Sequence, residues 1–152
     1  MHFSLGVESF PAILTASVAA FVLGAVWFGP KTFYPVWIKA QGRELPPERI
    51  TMSRGQTATL FGGTFAGVLV QVTTLDLIIG FSRAAGSTFN VQTGALLGLV
   101  FSVGLSGFAS LSHRMFGQYN HNVYWSLKVW LIEISQDALG LAVAGAILGA
   151  WL

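Results

Sequence analysis

Hydrophobic and polar positions alternate along this chain in long blocks. Four apolar runs stand out: about 10–29 ("FPAILTASVAAFVLGAVWFG"), 56–80, 91–112 and 127–152. Each reaches roughly 20 residues, enough at about 1.5 Å per residue to cross a hydrocarbon core of about 30 Å. Four such runs in 152 residues predict an all-α membrane protein: a four-helix transmembrane bundle forming one domain.

Composition agrees with that pattern. Hydrophobic residues make up 53% and charged residues 9%, far below the roughly one quarter of soluble domains. The formal charge of +2 is too small to imply nucleic acid, and with no cysteine there is no disulfide framework or thiolate metal site. The leader "MHFSLGVES" carries no Lys or Arg, so the first run is expected to stay as a span rather than act as a cleaved signal.

Where the charges lie fixes the expected orientation. Lys31, Lys39, Arg43, Arg49 and Arg54 fall between runs one and two, and Arg114 and Lys128 between runs three and four. Only Arg83 lies on the other side, so seven of eight basic residues share one side. By the positive-inside rule the two longer loops are cytoplasmic and both termini lie outside, in a multi-pass protein of the cell (inner) membrane. Trp27, Trp37, Trp125 and Trp130 gather near that cytoplasmic interface.

The first cytoplasmic loop reads "PKTFYPVWIKAQGRELPPERITMSRG". Pro30 ends or bends the first helix. The segment 31–40 mixes Phe33, Tyr34, Trp37 and Ile38 with two lysines, a pattern of an interfacial segment or of an anchored loop. The stretch "LPPER" predicts a short helix with Glu48 in its first turn.

The residues 20–42, "AFVLGAVWFGPKTFYPVWIKAQG", resemble an uncharacterised small bacterial membrane-protein family, domain of unknown function 1761. The matching positions are Gly24, Ala25, Trp27, Phe28, Gly29, Pro30, Phe33 and Trp37. The resemblance implies membrane location and four helices, and it brings no activity.

Small residues recur at four-residue spacing. Gly94, Gly98, Ser102, Ser106 and Ser110 form one such ridge, and Gly63/Gly67, Gly140/Ala144 and Gly145/Gly149 form others. Residues four apart share a helix side, and small ones let backbones approach closely. The serine ridge is expected either to pack helices or to line a polar path. Several such faces on four short helices predict a homo-oligomer.

Candidate chemistry lies in the fourth run. Glu133, Gln136 and Asp137 share one face, continued by Gly140 and Ala144. An acid at the centre of a membrane helix costs about 2.5–3.5 kcal/mol on insertion scales, so the pair costs roughly 5–7 kcal/mol if it faces lipid. The acids are therefore expected to face protein or water. Arg114, His113 and Lys128 are the charge partners in reach, with an Arg114–Glu133 pair leaving Asp137 to titrate. Gln71 can add to a polar interior.

Three functions follow from these residues. The first is a proton- or cation-coupled transporter or channel using Glu133, Asp137, Gln136 and Gln71. The second is a structural or accessory subunit whose acids pack helices. The third is a hydrolase built on Ser110, His113 and an acid, which lacks a nucleophile-elbow motif; no enzyme, cofactor or metal is expected. A metal set of His113, His121, Glu133 and Asp137 has suitable donors but no spacing motif.

Overall fold

A computed structural model describes residues 10–45, 51–117 and 119–151. The leader, the "LPPER" prolines with Glu48, and Leu152 lie outside the described residues. Every regular element described is helical: α1 (Phe10–Trp27), α2 (Tyr34–Ala40), α3 (Arg54–Ala84), α4 (Val91–Phe101), α5 (Phe108–Gly117) and α6 (Val123–Trp151). A π-helical segment, Ser102–Gly107, joins α4 and α5 into one helix of 27 residues. Four helices are thus long and apolar enough to cross a membrane, at 18, 31, 27 and 29 residues.

Local chemistry moves the helix ends beyond the apolar runs. Ser53 caps α3: its hydroxyl accepts the Gln56 N–H at 3.2 Å, and the Gln56 side chain accepts the Ser53 N–H at 2.9 Å. Asn90 does the same for α4, accepting the Gln92 and Thr93 N–H groups at 2.9 and 3.0 Å. Asn122 accepts the Tyr124 N–H at 2.8 Å, so α6 starts at Val123, before the apolar run does. Its middle residue is therefore Asp137, rather than Leu139 or Gly140 as the run alone implies.

α1 stops at Trp27, three residues ahead of Pro30. Thr32 closes the turn, its hydroxyl donating to the carbonyls of Val26 and Trp27, both at 2.7 Å. The same carbonyls also accept the N–H groups of Gly29 and Phe33, each at 3.0 Å. The chain then enters α2, with Pro35 in its first turn.

Packing centres on α6. Ala12, Ala16 and Ala20 of α1, Val72, Leu75 and Ile79 of α3, and Leu141, Ala144 and Leu148 of α6 form a buried apolar core. Antiparallel to α6 lies α4, in backbone contact. A Cβ on Gly94 would collide with the Gly145 carbonyl, and one on Gly98 with the Leu141 carbonyl. Both glycine faces expected from the four-residue spacing are thus closed against each other.

The serine ridge does not run uninterrupted. The buried positions of the third long helix are Gly94, Gly98, Ser102 and Gly107, because the π-segment inserts one extra residue into the repeat. Gly107 therefore takes the place against Ile134 of α6 that regular spacing gives to Ser106. Ser106 turns instead to α3, accepting a hydrogen bond from Gln71 Nε2 at 3.4 Å. Ser110 spends its hydroxyl on the Gly107 carbonyl at 2.8 Å.

From Arg54 to Gly67, α3 is exposed except at Thr57 and Phe65, the latter meeting Phe21 edge-on at 5.5 Å. Added Cβ atoms on Gly62, Gly63 and Gly67 would meet nothing within 4 Å. This glycine face has no partner among the described residues.

Candidate functional site

The apolar core occupies the half of the bundle remote from α2. In the half near α2, where Val129, Ile132 and Ile134 are buried, polar side chains also link the helices. Glu133 of α6 is their hub. Arg114 Nε lies 2.7 Å from Glu133 Oε2, and Trp37 Nε1 donates to Glu133 Oε1 at 3.1 Å. Each carboxylate oxygen thus has its own donor, a charged one from α5 and a neutral one from α2. Tyr119 holds Arg114 in turn, its hydroxyl accepting from a guanidinium nitrogen at 2.8 Å.

The aromatic residues of the 24–37 stretch build the frame for this contact. Trp37 packs edge-on against Phe28 at 5.3 Å and lies 6.2 Å from Tyr34. Trp27 stacks on Phe33 at 4.3 Å and donates its indole N–H to the Ile132 carbonyl at 3.2 Å. Two consecutive residues of α6, Ile132 and Glu133, are therefore tied to the α1–α2 corner. Gly24 makes room for the third polar residue: a Cβ there would stand 3.1 Å from Gln136 Nε2.

Asp137 lies one turn further along α6, part-buried on the Glu133 face. Among the described residues, no hydrogen bond or ion pair reaches its carboxylate. The two acids consequently differ in kind: Glu133 is held twice, and Asp137 is not held.

The other candidate residues separate. Lys128 is exposed, with its ammonium 5.0 Å from the centre of the Trp125 ring. His113 is exposed, and among the described residues no three His, Asp or Glu side chains come together as a metal site. Gln71 joins α3 to Ser106 rather than to an acid. Ser102 is fully buried without a hydrogen-bond partner among the described residues. Trp130 is 7% exposed and donates to the Gly107 carbonyl at 2.9 Å.

Sequence reasoning did not connect Trp37 with Glu133 or Gly24 with Gln136. The usable signal for the first was chemical: a carboxylate deep in an apolar helix needs donors, and Trp37 brings an indole N–H on a proline-started helix. Replacing Trp37 by phenylalanine keeps the ring packing and removes that donor. The expected outcome is a loss of about 1 kcal/mol in stability toward denaturant in detergent, because the part-buried carboxylate keeps Arg114 as a donor. Glu133→Gln in the Trp37→Phe background should then cost less than in the parent.

These features define a class: a bundle of four long apolar helices joined by polar side chains toward one end. The chain belongs to the family described as Protein of unknown function (DUF1761), which matches residues 11–149. No curated protein matches it, and no solved structure does.

Proposed function

We propose that this chain is a multi-pass protein of the cell (inner) membrane that binds a proton or small cation at Asp137. In this reading the α2 end faces the cytoplasm and both termini lie outside, as the bias of basic residues to one side argues. One observation carries the binding reading. Asp137 is the central residue of a 29-residue apolar helix and is part-buried with no hydrogen bond among the described residues, while Glu133 one turn away is neutralised by Arg114. An acid kept at that depth without structural work is a group available to a cation.

A second reading has its own support. Trp27, Trp37, Trp130, Gln71 and Glu133 all spend their polar atoms on links between helices, as in a structural or accessory subunit. The open glycine face of α3 favours a homo-oligomer in either case.

Flux measured in proteoliposomes distinguishes the two. Asp137→Asn is expected to abolish pH- or cation-driven flux while leaving oligomer size unchanged. If the parent shows no flux and Asp137→Asn disperses the oligomer in detergent, the subunit reading replaces the binding one.

A further inference from the structure

The segment around α2 has two different faces. One is turned to the bundle: Ile38 and Ala40 are buried, and Trp37 reaches Glu133. The other is open. Phe33 and Val36 are 40% and 39% exposed, and Lys39 follows at the same three-residue interval. Arg43 continues the series past the helix end, and Lys31 is exposed just ahead of it.

None of these three cations is ion-paired among the described residues. The Arg43 guanidinium donates to the Gln41 side-chain oxygen at 3.4 Å. Glu44 is the one acid in residues 31–45, so the segment is net positive. Exposed aromatic and aliphatic side chains interleaved with unpaired cations suit a negatively charged lipid surface, where the apolar groups enter the acyl boundary and the cations meet phosphates. The position fits as well: α2 leaves the end of α1 through the Thr32 turn, at the level of the ring cluster of Trp27, Phe28, Tyr34 and Trp37. Such rings prefer the headgroup level of a bilayer.

We infer that the outward face of α2, with Lys31, Phe33, Val36, Lys39 and Arg43, is a binding surface for the headgroups of anionic phospholipids in the adjoining leaflet. The inference rests on the spanning arrangement proposed above and not on cation binding at Asp137. Because Trp37 projects from the same short helix to Glu133, lipid charge bears directly on the element that orients this carboxylate.

The full chain is reconstituted into lipid nanodiscs containing equal parts of phosphatidylglycerol and phosphatidylcholine, and the lipids retained on the released protein are measured by native mass spectrometry. Retained lipid is expected to be enriched in phosphatidylglycerol, with each basic residue contributing about fivefold or less. The combined Lys31→Gln, Lys39→Gln and Arg43→Gln variant should bring the ratio close to one. Lys31→Arg with Lys39→Arg should keep the enrichment, as should Arg83→Gln at the other end of the bundle. Enrichment that survives the triple substitution, or a ratio of one in the parent, overturns the inference. A protein that does not enter the discs at all instead overturns the spanning arrangement, and the inference with it.

Discussion

Valine at position 98 is expected to force α4 away from α6. The Cβ alone would collide with the Leu141 carbonyl and approach Ala142 Cα to 3.2 Å, and both obstacles are backbone. No rotamer change relieves such a clash, so the helices must separate. Separation also loosens the Gly94–Gly145 and Gly149–Asn90 contacts along the same seam. Overpacking typically costs 1–3 kcal/mol, and this substitution, acting on two rigid backbones, should cost about 3 kcal/mol or more. Denaturation in mixed micelles, followed by circular dichroism, measures it. Gly80→Ala, where a Cβ meets nothing within 4 Å, should be neutral or gain up to about 1 kcal/mol from helix propensity. Equal losses at positions 98 and 80 would show that the seam does not hold the bundle together.

Removing Arg114 should have the next largest effect. Arg114→Gln leaves the Glu133 carboxylate with Trp37 as its remaining donor in a part-buried setting. Breaking a fully buried pair costs about 3–5 kcal/mol. The side chains here are 37% and 19% exposed, so water recovers part of that and a loss of about 1–3 kcal/mol is expected. Adding Glu133→Gln should restore most of it, because the uncompensated charge is then gone. The double-mutant cycle in detergent measures the coupling directly, and additive losses would mean the ion pair contributes nothing.

The long apolar runs made the helix count legible, because lipid-compatible length and the absence of charge are properties of composition. The glycine spacing of 94/98 and 145/149 likewise announced close packing, and these faces do meet. Arg114 and Glu133 were the natural pair on proximity along the chain, and they lie at 2.7 Å. What stayed hidden depends on phase and on distant partners. A strict four-residue repeat put Ser106 on the ridge, but the π-segment gives the place to Gly107, and no residue in "SVGLSG" announces that extra step. The Trp37–Glu133 bond joins residues 96 positions apart through a corner whose angle is set by Thr32. The Trp130 indole N–H likewise meets a partner on another helix, the Gly107 carbonyl. The open glycine face of α3 has no signature either, since Gly63 and Gly67 read like the glycines that pack, yet among the described residues nothing meets them.

The π-segment makes the third helix a matter of counting as well as of composition. Between Gly98, seated on α6, and Arg114, clasping Glu133, the number of residues sets the angle between the two contacts. One residue fewer in positions 103–106 would let the helix run as a regular α-helix with both contacts in phase, whereas the same residues wound without the π-turn would turn everything beyond it by about 100°. The glycine seam would stay closed while the guanidinium swung away from its carboxylate. For this stretch, then, the winding of six residues keeps two distant contacts in phase.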